Sequence, residues 1–235
     1  MINEEAPCRP AAGAGEMTLA QAGVVFMPLV SRQYLRDLAR FRLLLASAGE
    51  LSSGRAATLT KWWHRLSEVM TLHQRAMSDV FWSCLHSKGP QFDSVVNSMH
   101  LRYETLGVSR MDAGRRLISV LKLGESPQLA QISFIRFQGE ATDVSFWEDR
   151  EVIPPALRCF TPGDWRRVES YVLAVQAAQD NLGHVLPWLL DGVAETESQE
   201  ILSAFPAGMA HIYHSEWLPE YRRCLHETWP HSSDG

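Results

Sequence analysis

LTKWWHRLSEVMTLHQRAMSDVFWSC, residues 59–84, is the stretch on which the fold turns. Leu59, Trp62, Leu66, Val69, His73, Met77, Val80 and Cys84 recur every three or four positions, the spacing that gathers side chains on one face of an α-helix. The pattern predicts one long helix that stops at Gly89-Pro90. Upstream, Leu29 to Ala48 repeats Leu35, Leu38, Phe41 and Leu45 at the same period, with Arg32, Arg36, Asp37 and Arg40 off the stripe and Gly49 as a stop signal. Downstream, a third helix starts near Gln91 and carries Val96, Met99, Tyr103 and Leu106. Gly107 and Gly114 predict a kink before Leu117, Ile118 and Leu121 resume the pattern. A fourth opens at Ser126-Pro127, sets Phe137, Glu140, Val144, Trp147 and Glu151 on one face, and ends at Pro154-Pro155.

Beyond Pro155 the pieces shorten. Thr161-Pro162-Gly163-Asp164 is a capped start for a helix to about Gln179, followed by helical segments at 185–190, 195–205 and 206–229. No stretch alternates as a strand would. The expected fold class is therefore all-α: four long helices in a bundle over 19–158, a helical C-terminal extension over 159–235, and a flexible lead-in over 1–18.

Composition narrows the function classes. The chain has 235 residues and a net charge of −5, with basic residues scattered in pairs such as Arg115-Arg116 and Arg166-Arg167, so no nucleic-acid partner is expected. The longest apolar stretch, Leu19 to Val30, is shorter than the roughly 20 residues of a membrane span, and Glu4-Glu5 stand where a signal peptide needs positive charge. The reading is a cytoplasmic protein without membrane association. Cys8, Cys84, Cys159 and Cys224 form no CxxC and read as buried or incidental thiols rather than a disulfide framework.

In a bundle, chemistry sits where polar residues interrupt the inner stripes. Those residues are His73 on the second helix, Tyr103 on the third, and Glu151 on the fourth with Trp147 one turn before it. Their polar atoms must be hydrogen-bonded or functional, so they are expected to converge on one pocket.

Five segments together resemble the hemerythrin-like (HHE cation-binding) family. They are His73-Gln74-Arg75-Ala76-Met77-Ser78-Asp79-Val80-Phe81-Trp82, then Lys88-Gly89-Pro90-Gln91-Phe92, and Trp147-Glu148-Asp149-Arg150-Glu151-Val152-Ile153-Pro154. Thr161-Pro162-Gly163-Asp164-Trp165 and Leu186-Pro187-Trp188-Leu189-Leu190-Asp191-Gly192 are similar to a C-terminal extension found in that family. The resemblance implies a hemerythrin-like four-helix bundle whose relatives hold two irons through His and HxxxE positions. Carried over residue by residue, those positions fall at Ser31, His73, Met77, Tyr103, Trp147 and Glu151. Only His73 and Glu151 keep a metal-ligand side chain of the family type, so the diiron site is expected to be lost and no cofactor retained. Shifting the fourth helix by three or four residues would bring Asp143 or Glu148 to the site but no histidine.

Three functional readings follow. In the first, the vacated cavity binds and transforms a small apolar or aromatic molecule by acid–base chemistry, such as a cyclisation, isomerisation or elimination in specialised metabolism. His73, Glu151 and Tyr103 would be catalytic, and Ser31, Trp62, Met77, Phe137 and Trp147 would line the substrate. The second is a non-catalytic scaffold or regulatory protein. The third keeps one metal through His73, Glu151 and Tyr103, with His100 nearby. Trp188, Tyr213, Trp217, Tyr221 and Trp229 supply aromatic surface for a homodimer or, equally, for docking the C-terminal segment onto the bundle.

Overall fold

The structure, a computed structural model, describes residues 25–47, 51–179, 181–206 and 208–230. The expectations for the lead-in, Cys8 and Gly49 lie outside the described residues. Among the described residues every regular element is helical. The helices are α1 (Phe26–Ala46), α2 (Ser53–Ala76), α3 (Ser83–His86), α4 (Asp93–Leu123), α5 (Gln128–Trp147), α6 (Ile153–Cys159), α7 (Pro162–Ala177), α8 (Leu182–Leu190), α9 (Glu195–Ser203), α10 (Met209–Ile212) and α11 (Leu218–Thr228). Wider π-helical turns at Met77–Trp82, Glu148–Val152 and Tyr213–Trp217 join α2 to α3, α5 to α6 and α10 to α11.

Two helix boundaries differ from expectation. α4 runs unbroken through Gly107 and Gly114. Gly114 serves packing: a Cβ there would come within 2.6 Å of the Trp63 indole nitrogen, so the bare backbone is what lets the indole lie against the helix. The helical path also passes Pro154-Pro155, because those prolines occupy the first turn of α6, where a missing N–H breaks no intrahelical bond. The capped start of α7 is as expected: Thr161 accepts from the Asp164 N–H and Asp164 accepts from the Thr161 N–H.

α5 packs against α4 and α1, and α2 packs against α4 and α1. Leu38, Phe41, Leu59, Met99, Leu117, Phe134 and Phe137 are fully buried between them. The later helices lie on this body: α7 and α11 on α2, α8 on α1. Trp188, Tyr213, Tyr221 and Trp229 are buried in the shared core, so the C-terminal aromatics are spent on docking within the chain rather than on an exposed interface.

α1 depends on that later part. It has no acidic first turn and no cap of its own. The Glu169 carboxylate on α7 instead accepts from the backbone N–H groups of Val25 (3.1 Å) and Phe26 (2.9 Å). Asp37, off the apolar stripe of α1, is fully buried rather than on a solvated face. Its carboxylate accepts from the indole N–H of Trp62 (2.8 Å) and of Trp188 (2.9 Å), and meets the guanidinium groups of Arg40 (3.0 Å) and Arg36 (3.5 Å).

Cys84 and Cys224 are free thiols, but Cys159 is disulfide-bonded, which corrects its reading as a thiol. Among the described residues no helix is long and apolar enough to cross a membrane.

Candidate functional site

Four helices contribute to one small internal cavity. Tyr34 comes from α1, Met70, His73 and Gln74 from α2, Tyr103 and Leu106 from α4, Val144 from α5, and Glu148 from the π turn that follows it. The cavity leaves about 10 Å³ for the centre of a water-sized sphere. That is room for roughly one water molecule.

The fourth helix decides which carboxylate enters. The inward row of α5 is Ala130, Phe134, Phe137, Ala141 and Val144, at alternating steps of four and three, and the next step of four is Glu148. Glu148 is 9% exposed, whereas Glu151 lies on the surface. The Tyr103 hydroxyl donates to the Glu148 carboxylate at 2.5 Å. Glu148 therefore takes the place at Tyr103 that the sequence reading gave to Glu151. The two small alanines were the available signal, since an interior row counted only on large apolar residues drifts from 144 to 147 and 151.

The environment separates the proton affinities of the two central groups. Burial drives the Glu148 carboxyl up to about 7, against the lowering effect of the Tyr103 hydrogen bond and with a smaller push from Asp149. Burial drives the His73 imidazole down to about 4. The ordinary order of a Glu and a His is inverted, so the carboxyl holds its proton at a pH where the imidazole has none. His73 Nδ1 is buried and has no hydrogen-bond partner, an expensive condition for a polar atom in a protein interior. The Tyr34 hydroxyl is 2.5 Å from Ser145 Oγ, and burial together with the Glu148 charge pushes its phenol up to about 12.

Of the other expected site residues, Ser31 is half-buried and stands one turn before Tyr34 on α1, outside the cavity lining. Met77 is buried at the start of a π turn, outside the cavity lining. Phe137 is core, edge-on to Trp63 with centroids 6.3 Å apart. Trp62 belongs to the Asp37 node, and Trp147 is half-buried with the Arg102 guanidinium 4.9 Å over its ring. These three aromatics therefore do not form the walls of a pocket around His73: two are packed into the core and one is paired at the surface.

A cleft of about 1030 Å³ lies elsewhere, over α8, α9 and α11. Its size exceeds that of the His73 cavity, but the Asp191 carboxylate within it is already held by Arg36 (2.7 Å) and the Tyr221 hydroxyl (2.9 Å). The indole N–H of Trp229 on the wall of that cleft is buried without a partner, as is His73 Nδ1 in the small cavity, but of the two only an imidazole nitrogen can take up and release a proton near neutral pH.

The donor set does not fit a two-iron group. It offers one imidazole, one carboxyl and two phenols, and among the described residues no three His, Cys, Asp or Glu side chains come together as a metal site. No family model, curated protein or solved structure matches the chain.

Proposed function

We propose that the chain is a hemerythrin-like four-helix bundle that works without metal, and that its His73–Glu148–Tyr103 cavity binds a small apolar or aromatic molecule and moves a proton on it. The observation that carries this reading is a buried carboxyl, donated to by Tyr103, beside an imidazole whose Nδ1 has no partner. At neutral pH the neutral imidazole is the base and the protonated fraction of Glu148 is the acid, the division of labour that separated proton affinities produce. One proton removed at one substrate atom and one returned at another amounts to an isomerisation or a cyclisation, with no change of oxidation state. Tyr103 fixes the carboxyl and Tyr34 supplies a further hydroxyl at the wall.

Admission requires more room than one water. The π turn Met77–Trp82 begins four residues after His73, and the turn Glu148–Val152 begins at the acid itself. Such turns concentrate at functional sites because the wider ladder tolerates shifts of register.

The test is titration with phenol and with indole, followed through the imidazole NMR signals of His73. A saturable shift that Glu148→Gln weakens is the expected result. No shift with either probe, or one to two irons per purified chain, overturns the reading. The scaffold alternative is favoured by one observation, the narrowness of the cavity. It predicts that neither probe enters.

A further inference from the structure

The surface opposite the His73 cavity is unusually apolar. Leu101, Val108 and Met111 on α4, with Ile132, Ile135 and Phe146 on α5, are all 57–66% exposed. The hydrogen bonds Tyr103–Glu148 and Ser133–Asp112 set the antiparallel register of the two helices. In that register Leu101 lies level with Phe146, Met111 with Ile135, and Val108 with Gly139. The six side chains thus form one stripe along the hairpin instead of scattered singles.

The middle of the stripe is bare backbone. Gly107 and Gly139 sit inside long helices, and a Cβ on either would meet nothing within 4 Å. Glycine in a helix interior costs about 1 kcal/mol relative to alanine, and no packing within the chain accounts for either position. A helix of another molecule crossing there would account for both, since close approach of two axes needs small residues at the crossing. A shallow groove lined by Val108, Met111, Asp112, Arg115, Arg116 and Arg136 follows the same crease.

We propose that this face is a dimer interface whose occupant is the same face of a second copy. Each of the six side chains leaves about 100 Å² exposed, so with their polar rim they approach the ~800 Å² that one partner contributes to a stable interface, more than monomers usually display. The rim carries both signs: Arg136 meets Asp112 and Glu140, Arg150 lies over the Phe146 ring, and Glu104 and Asp143 are exposed. Interleaved charge suits a two-fold pairing, in which each sign on one copy meets the other on its partner, better than it suits a strongly charged ligand. This inference does not depend on the proposed chemistry.

Sedimentation of the full chain decides it. The expected result is a particle of twice the 26.5 kDa chain mass at about 50 µM, dissociating on dilution by mass action. Met111→Glu with Ile135→Glu, both exposed, is expected to sediment as monomer with an unchanged circular dichroism spectrum. Gly139→Leu separates two effects: it improves helix propensity within a chain but blocks the crossing, so the melting temperature of the monomer holds or rises while the dimer weakens at least tenfold. A wild-type monomer at about 50 µM overturns the proposal, as does a dimer that survives both variants.

Discussion

Asp37 on α1 and Glu148 at the end of α5 are carboxylates with 0% and 9% of their surface exposed, yet they are solvated by the protein very differently. Asp37 collects two indole N–H groups and two guanidinium groups, which draw together α1, α2 and α8. Glu148 has a phenol as its side-chain donor and a neutral imidazole lining the same cavity. A buried carboxylate whose charge and lone pairs are met holds a fold together. One that is underprovided keeps its proton, and that proton is available for transfer. The comparison separates, within one core, a polar group that is structural from one that is chemical.

Four substitutions can break or sharpen this contrast. The largest effect belongs to Asp37→Asn, which keeps an acceptor for the indoles but leaves Arg36 and Arg40 without the anion between them. A loss of about 3 kcal/mol in urea unfolding is expected, the lower end for breaking a buried charged pair because Arg36 keeps Asp191. A loss below about 1 kcal/mol would mean that Asp37 is not the structural partner in the contrast.

The second effect is a pair of opposed pH slopes. Between pH 4.5 and 7 the unfolded chain has released the Glu148 proton that the folded chain keeps, so this group's contribution to stability is present at low pH and is lost as pH rises through about 7. Between pH 4 and 6.5 the unfolded chain carries a proton on His73 that the folded chain rejects, so that contribution is present at high pH and is lost as pH falls through about 4. From pH 4.5 to 6.5 the two cancel in the wild type. Relative to it, Glu148→Gln is expected to gain stability with rising pH, and His73→Phe to lose it, each by up to about 1.4 kcal/mol per pH unit. Urea midpoints at three pH values measure both, and slopes of the same sign would refute the inverted order.

The smallest effect is Glu151→Gln. As a surface change it is expected to stay within about 0.5 kcal/mol and to leave the pH slopes untouched. Any slope like that of Glu148→Gln would return the acid to position 151.

The all-helical class was legible because each long helix carries its own period, and Thr161 to Asp164 announces its cap in four residues. What was not legible came from partners distant in sequence. Gly114 reads as a helix breaker until the Trp63 indole is seen lying on it. Asp37 stands off the apolar stripe of its helix, and its burial follows only from the indoles that arrive from α2 and α8. His73 and Tyr103 were legible as interruptions of apolar rows, and the structure brings both to one cavity. Glu148 was one step away, hidden by a row whose alanines carry little hydrophobic signal and by a π turn that a fixed 3.6-residue period does not follow.

The clasp of Glu169 on the start of α1 also governs the order in which the molecule can be built. The N–H groups of Val25 and Phe26 wait for a carboxylate more than 140 positions later, and Asp37 waits for an indole 151 positions later. During synthesis α1 thus leaves the ribosome well before the residues that secure it, because contacts this far apart in the chain close only after the segment between them has been made. A nascent chain that ends before Pro162 exposes a helix with an uncapped start and an anion lacking one of its indole donors, and such a chain depends on the arrival of its own C-terminal third.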